Sequence, residues 1–238
     1  MAIDTGNTAA TKWKFDAEVT CVFANMLERS IPQYETMRSV VFEMATRFVQ
    51  KNTYIVDLGT SRGDALAPLW RSHGATANYL GVEVSPPMIK AARERFSGAI
   101  DAGFMEIAAL DLRNEPIPAR PASVVQAVLC LCFVPVEYRQ RIIRQAYEML
   151  IDGGAIVIVE KVLGDGSNVH DIMAEIYREK KRRSGYDDEQ IERKRLALEG
   201  VLVPDSASTI TNRLRDCNFR EVDCFWRWLN FAAFIGIK

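Results

Sequence analysis

Three acidic side chains follow three successive predicted strands, and a glycine-containing turn comes directly after the first strand. Asp57 lies in the apolar segment 54–58 and precedes the turn GTSRG at 59–63. Glu83 ends the second strand, and Asp111 lies near the end of the third. The carboxyl ends of parallel strands meet at one edge of a sheet, where nucleotides bind at a topological switch point. An acid on the second strand accepts both ribose hydroxyls, and Asp111 is placed to meet an adenine amino group. These positions predict an adenosine pocket.

The residues of this turn indicate which kind of adenosine ligand the pocket would bind. Asp64 stands where a dinucleotide motif carries its third glycine, and no GKS or GKT sequence follows that would indicate a P-loop. A sulfonium ligand suits an acidic turn, which favours S-adenosyl-L-methionine (SAM). The alternative is that Asp57 and Glu83 are only a helix cap and a solvated strand end.

The elements that position these residues alternate between strand and helix. Predicted strands lie at 54–58, 78–83, 104–108, 123–131 and 155–160, and two closing strands at 221–226 and 229–237. Strands separated by helices imply right-handed crossovers and a parallel sheet. We therefore expect an α/β fold with a doubly wound, mostly parallel seven-stranded sheet and an antiparallel C-terminal strand.

Two helical regions flank this sheet, and together they make one SAM-binding Rossmann-like domain over residues 1–238. Apolar residues at helical spacing predict an N-terminal helical cap at 13–50. A charged segment at 167–200 is too long for a plain crossover, so we expect a helical lid insertion that contacts the cap. Its basic stretch at 178–183 predicts either a patch for tRNA or a solvated helix face. Direct nucleic-acid binding therefore stays open.

Composition narrows the class of protein. The 238 residues carry 30 Lys and Arg against 31 Asp and Glu, a net charge of −1 that excludes a general basic field for nucleic acid or membrane. Five cysteines without a CxxC motif, and two histidines, predict reduced thiols in a cytoplasmic protein and no metal site. Residues 1–12 are small and polar, and predict neither regular structure nor a signal peptide. No apolar run predicts a membrane span.

Several segments resemble one family, the carboxy-S-adenosyl-L-methionine (carboxy-SAM) synthases, an offshoot of class I SAM-dependent methyltransferases. The similarity runs from about Lys14 to Lys238. The segments are FDAEVTCVFANMLERSIPQYETM (15–37), VDLGTSRG (56–63), GVEVSPPMI (81–89), GGAIVIVEK (153–161), SGYDDEQIERKRLALEGVLVPDS (184–206) and WLNFAAFIGIK (228–238). The resemblance implies a cytoplasmic homodimer that acts in wobble-uridine modification of tRNA.

The resemblance also implies site residues. It places the ligand against Tyr34, Gly59, Thr60, Ser61, Glu83, Val84, Asp111, Leu112, Val128 and Arg195. Arg195 would pair with the carboxylate that distinguishes carboxy-SAM from SAM, because a guanidinium binds a carboxylate through two hydrogen bonds. Four of these positions depart from the family pattern. Thr60 replaces a cysteine, Glu83-Val84 replaces Asp-Asn, and Val128 replaces an asparagine.

The implied reaction is carboxyl transfer. Prephenate loses carbon dioxide as it becomes phenylpyruvate, and the deprotonated SAM methyl group captures it. We expect Arg195 and Tyr34 to be the catalytic residues, with Arg195 holding the prephenate carboxylate first and the new carboxylate afterwards. Two alternatives stay open: a diverged SAM-dependent methyltransferase acting on a small molecule or RNA, and a SAM-fold binding subunit without chemistry.

Overall fold

The computed structural model describes residues 12–238. Residues 1–11, for which the sequence predicts neither regular structure nor a signal peptide, lie outside the described residues. The strands are β1 (Tyr54–Leu58), β2 (Asn78–Glu83), β3 (Met105–Ala109), β4 (Ala122–Val128), β5 (Leu150–Leu163), β6 (Asp205–Ser206), β7 (Glu221–Trp228) and β8 (Phe231–Ile237).

The sheet has the order β3-β2-β1-β4-β5-β8-β7, and the two-residue strand β6 pairs with β5 beside this path. Neighbouring strands from β1 to β5 pair in parallel, whereas β8 runs antiparallel to both β5 and β7. The chain builds outward from β1 to β3 and then reverses to β4, which places the topological switch point between β1 and β4. The predicted fold class is therefore confirmed; the short strand β6 was not predicted.

Helices cover both faces of the sheet. They are α1 (Ala17–Ser30), α2 (Tyr34–Thr46), α3 (Leu66–His73), α4 (Pro86–Arg95), α5 (Ser97–Asp101), α6 (Val136–Met149), α7 (Ser167–Arg183), α8 (Asp188–Leu198) and α9 (Ala207–Arg215). Alternate residues of β1 serve opposite faces. Ile55 packs with the cluster that contains α2 to α5, and Val56 with the cluster that contains α6 and α9. No helix of residues 12–238 has the length and apolar character needed to cross a membrane.

The insertion at 167–200 forms α7 and α8, and it contacts the N-terminal helices directly. Arg29 of α1 donates to the carbonyl oxygens of Ser184 and Gly185, at 2.9 Å each. The Tyr177 hydroxyl of α7 donates to the Ser30 carbonyl at 2.8 Å. These contacts bring α1, α7 and α8 together above the carboxyl edge of the sheet.

Several predicted strand boundaries are wrong. The fifth strand, β5, spans Leu150–Leu163 rather than 155–160, and β7 ends at Trp228 rather than at residue 226. At two other strand ends the backbone gives the reason. The fourth strand ends at Val128 rather than at residue 131, because Leu129 has a φ of 56° and the chain then forms a 3-10 helix at Leu131–Phe133. The last strand begins at Phe231 rather than at residue 229, because Leu229 has a φ of 46° in the turn. A left-handed residue breaks the extended ladder, and apolar composition does not reveal it.

Candidate functional site

A cavity of about 320 Å³ lies at the carboxyl ends of β1, β4 and β5, beneath α1, α2, α7 and α8. Its volume lies within the range of small-molecule sites. Residues from every one of these elements line it. Of the predicted site residues, the lining includes Tyr34, Gly59, Thr60, Ser61, Val128 and Arg195.

The turn after β1 needs glycine at its first position. Gly59 has a φ of 69°, and a Cβ there would lie 2.5 Å from the Cys130 Sγ. The Gly59 and Thr60 amides both donate to the Val82 carbonyl at 2.9 Å, which ties the turn to β2. The backbone of the turn therefore lies open toward the cavity, without a side chain at its first residue.

Thr60 joins the turn to Asp57. Its hydroxyl donates to the Asp57 carboxylate at 2.7 Å, and its methyl carbon occupies the space where a Cβ on Gly81 would lie. Asp57 is buried and lines the cavity, and burial raises the pKa of its carboxyl to about 7, against the lowering effect of the Thr60 hydrogen bond. A threonine in place of the cysteine of the family thus supplies a hydrogen bond to a desolvated acid.

Glu83, at the end of the neighbouring strand β2, fixes the position of the turn through hydrogen bonds. Its carboxylate accepts the backbone N–H groups of Ser61, Val84 and Ser85 at 2.8–2.9 Å. Its side chain is buried and does not line the cavity, whereas Val84 is 57% exposed. The geometry therefore gives Glu83 a positioning contact with Ser61, at the edge where the sequence places the ribose.

The predicted adenine pair lies further along the same edge. Asp111 accepts the Arg113 guanidinium at 2.7 Å, and hydrogen bonds from Arg113 lower the pKa of its carboxyl. Leu112 is buried in the core cluster that contains α6. Neither residue lines the cavity, so the structure does not bring them together with Tyr34 and Arg195.

Arg195 lies on α8 at the cavity wall, with half of its side chain exposed. Its guanidinium pairs with Glu192 at 2.8 Å and with Glu199 at 3.5 Å. Tyr34 begins α2 and lines the same cavity, where burial raises the pKa of its hydroxyl. The two predicted catalytic residues thus share one cavity, contributed by helices far apart in the sequence.

Sequence reasoning missed a second arginine and its partner. Arg38 lies one turn after Tyr34 on α2, lines the cavity and donates to the backbone oxygen of Asp64. The Asp64 Oδ2 atom is buried without a hydrogen-bond partner among residues 12–238. The spacing of four residues from Tyr34 was the sequence pattern that placed Arg38 on the same helix face.

Three lysines that line the cavity wall were not predicted as site residues: Lys161, Lys181 and Lys194. They come from β5, α7 and α8, so no local motif joins them. Lys194 immediately precedes Arg195, and the pair stands in the segment that carries the family resemblance. Lys161 and Lys181 could be placed in the cavity only once the fold was known.

Comparison with solved structures defines the class. The fold resembles an O-methyltransferase family protein from Burkholderia thailandensis with a TM-score of 0.65 at 19% identity, covering 94% of this chain and 60% of that chain. It also resembles human N-acetylserotonin methyltransferase in complex with SAM, with a TM-score of 0.58 at 13% identity, covering 93% of this chain and 55% of that chain. A methyltransferase-domain family model matches residues 55–154. The molecule has the class I SAM-dependent methyltransferase fold.

Curated relatives narrow the class to a family. A carboxy-S-adenosyl-L-methionine synthase from Methylococcus capsulatus is 36% identical over 94% of this chain and 93% of its own. The same enzyme from Hydrogenovibrio crunogenus is 31% identical over 97% of this chain and 91% of its own. The chain therefore belongs to the carboxy-SAM synthase family, and it is a transferase whose ligand is SAM or carboxy-SAM.

The cavity fits the amino-acid end of SAM. The unpartnered Asp64 oxygen and the buried Asp57 carboxylate are acceptors suited to an ammonium group. Arg38, beside them, is a donor suited to a carboxylate. The open backbone at Gly59 admits a ligand where any larger residue would collide with Cys130.

Proposed function

We propose that this protein converts SAM and prephenate into carboxy-SAM and phenylpyruvate. Membership of the carboxy-SAM synthase family over nearly the whole chain supports the proposal. The observation that carries it is Arg195 in the wall of a cavity whose other end suits SAM. A methyltransferase gains nothing from a guanidinium beside a cationic sulfonium, whereas a new carboxylate needs a cation.

Several residues would hold the nucleoside and the methionine. We assign the amino-acid end to Asp57, Asp64 and Arg38, which line the cavity. The ribose, the adenine and the walls beside them fall, by family resemblance, to Gly59, Thr60, Ser61 and Val128 in the cavity and to Glu83, Val84, Asp111 and Leu112 further along the same sheet edge. Bound SAM supplies a methyl carbon made acidic by the adjacent sulfonium. The protein has to align and enclose it, since the hydroxide that prephenate expels along with carbon dioxide takes the methyl proton and leaves as water.

Arg195 would exchange carboxylate partners during the reaction. Its pairs with Glu192 and Glu199 are solvent-exposed, and such pairs contribute little to stability, so breaking them costs little. The guanidinium first holds the prephenate carboxylate and then the carboxylate on the former methyl carbon. Glu199, which also lines the cavity, occupies the guanidinium before a ligand arrives and competes with the incoming carboxylate for it.

Tyr34 would close the cavity on the side of α2. Burial raises its pKa, so the hydroxyl stays neutral at physiological pH and adds no negative charge near the incoming carboxylate. With α1, α7 and α8 above it, Tyr34 excludes water from a carbanion-like methyl carbon that a water molecule would reprotonate.

Turnover by the purified protein tests this function. SAM and prephenate are incubated with the protein, and the nucleoside products are weighed by mass spectrometry. We expect a species with the mass of SAM plus carbon dioxide, formed together with phenylpyruvate and only when prephenate is present. S-adenosylhomocysteine in place of that species would indicate the diverged methyltransferase, which the apolar Val128 in the cavity favours as the second candidate.

The assembly would be a homodimer in the cytoplasm. Val169, Ile172 and Ile176 lie on one face of α7 and are 55%, 56% and 38% exposed, which supports a second copy packing there. Five free thiols suit a reducing compartment. Light scattering by the wild type and by Ile172→Glu tests the dimer, since the charge should yield monomers.

A further inference from the structure

Three lysines form one positively charged wall of the cavity, which we call the lysine wall: Lys161, Lys181 and Lys194. None of their ammonium groups has a carboxylate within 4.0 Å among residues 12–238. Lysines are almost never fully buried without such a partner, and these three are half-buried. Their position inside a ligand cavity therefore calls for a reason.

Aromatic rings take the place of carboxylates around these lysines. The Lys161 and Lys181 nitrogens lie 5.4 and 4.5 Å from the centre of the Tyr177 ring. The Lys194 nitrogen lies 5.3 Å from the Trp13 ring and 5.6 Å from the Tyr186 ring. A ring face attracts a cation but, unlike a carboxylate, brings no opposite net charge to the wall.

The lysine wall also retains unused hydrogen-bond donors. An ammonium group has three N–H donors, and within the described chain Lys194 gives one to the Ser30 hydroxyl at 3.0 Å. Burial is the largest cause that lowers the pKa of all three, and Lys161 and Lys181 add repulsion to their neighbours in the wall. The acid that faces Lys181, Glu192, is exposed and already paired with Arg195. A negatively charged ligand would offset the repulsion among these half-buried ammonium groups.

We propose that the lysine wall binds a carboxylate of the second substrate, and that it makes the enzyme selective for organic dianions. This inference rests on the proposed function, in which the second substrate carries two carboxylates. Arg195 follows Lys194 in α8, so the two cation sets adjoin and divide the two carboxylates between them. Arg195 takes the carboxylate that leaves, and the lysine wall holds the one that stays.

The division follows from the chemistry of the two cations. A guanidinium forms two parallel hydrogen bonds and suits a carboxylate whose orientation matters for transfer. Ammonium groups act as point charges and suit a carboxylate that only has to be held. A dianion gains from both sets, whereas a monoanion of similar shape gains from one.

Titration calorimetry on protein saturated with S-adenosylhomocysteine tests the proposal, because this nucleoside has no methyl group to react. Prephenate and the monoanion phenylpyruvate are titrated into the wild type and into Lys181→Met and Lys194→Met. We expect each substitution to weaken prephenate binding about tenfold or more, the loss of one charge-assisted hydrogen bond. The affinity for SAM should stay within about twofold, because SAM contacts the opposite end of the cavity.

Lys180→Met is the matched control. Lys180 precedes Lys181 on α7, but its nitrogen lies 5.9 Å from the Trp228 ring and it does not line the cavity. We expect Lys180→Met to bind prephenate as the wild type does, and Lys181→Arg to restore most of the affinity that Lys181→Met loses. Thermal unfolding serves as a second readout. Removing an unpaired charge should leave the melting temperature of Lys181→Met unchanged or raised, whereas a merely structural lysine would lower it.

The outcomes separate the two proposals. If the wild type makes carboxy-SAM but Lys181→Met and Lys194→Met bind prephenate normally, the lysine wall has no such role and the proposed function stands. If the wild type binds prephenate through the lysines yet forms no carboxy-SAM, the proposed function fails and the anion site stands. A wild type that binds neither anion overturns the lysine wall directly.

Discussion

The carboxyl edge of the sheet and the lysine wall treat charge in opposite ways. At the sheet edge each acid has partners: Asp57 accepts from Thr60, Glu83 from three backbone amides, and Asp111 from Arg113. In the lysine wall the cations face aromatic rings. In the first region these three acids have hydrogen-bond partners before a ligand arrives, so we call it the scaffold. The second keeps its charge for the ligand, which is how binding sites trade stability for function.

We expect the largest loss of stability from a substitution in the scaffold, at Gly59. Gly59→Ala combines a positive φ with a collision at Cys130, so we expect a loss of roughly 2–5 kcal/mol in the free energy of unfolding. SAM binding should fall with it, because the turn that lines the cavity has to shift to separate the new Cβ from Cys130. Chemical denaturation and SAM titration measure the two losses.

Gly103→Ala provides the control for the backbone term. Gly103 has a φ of 78°, and a Cβ there would meet nothing within 4 Å. It should cost about 1–2 kcal/mol and leave SAM affinity unchanged. Equal losses for the two substitutions would show that close approach at Cys130 is irrelevant.

The next effect concerns Arg195, the cation beside the lysine wall on α8. Arg195→Ala should weaken carboxy-SAM binding roughly 10–100-fold while SAM affinity changes little, because only the former has a carboxylate for the guanidinium. Isothermal titration with both ligands checks this. Arg182→Ala, which removes an exposed pair with Asp188, should change neither affinity. A parallel loss of both ligands in Arg195→Ala would make Arg195 a structural residue.

The scaffold was largely predictable from the sequence, whereas the lysine wall was not. Asp57, the glycine turn and Glu83 lie within thirty residues of one another, and a strand–turn–helix pattern fixes their relation. Apolar runs and glycine turns also predicted the seven-strand path. The ends of β4 and β8 were mistaken because left-handed residues at 129 and 229 are leucines, which composition places in strands.

The lysine wall depends on contacts that sequence spacing does not encode. Lys161 lies near the end of a central strand, and Lys181 and Lys194 lie on separate helices of the insertion. They converge because Arg29, Tyr177 and Ser30 join the insertion to α1. In the sequence, Lys181 is one of several basic residues in a charged stretch, and nothing local distinguishes it from Lys180.

The buried acids and the lysines should have opposite effects on how the free energy of unfolding changes with pH. Burial raises the pKa of Asp57 and of Glu160 to about 7, so both bind protons in the folded state, and stability falls as pH rises toward 7. Burial lowers the pKa of Lys194 to about 7 and of Lys181 to about 8, so stability rises again as pH increases above these values. Each group contributes at most about 1.4 kcal/mol per pH unit.

Thermal melts of the ligand-free protein across this range should therefore show a shallow minimum of stability near neutral pH. Asp57→Asn should flatten the acidic side, and Lys194→Met the alkaline side. Unaltered pH profiles in both variants would mean that these groups titrate alike in the folded and unfolded chain.

The smallest effect concerns Glu199, which competes for Arg195 at the cavity wall. Glu199→Gln removes one competing carboxylate, so carboxy-SAM should bind about two- to fivefold more tightly, the size of an exposed ion pair. Glu179→Gln, whose partner Arg183 lies outside the cavity, should leave the affinity unchanged. Weaker binding in Glu199→Gln would show that Glu199 orients the guanidinium more than it competes for it.

The mass of the nucleoside that stays with the purified protein tests the central claim most directly. Ligand released from the wild type by denaturation should weigh SAM plus carbon dioxide, and ligand released from Arg195→Ala should be SAM alone. Wild-type protein that releases only SAM or S-adenosylhomocysteine, even after incubation with carboxy-SAM, would contradict a site built for a carboxylated ligand.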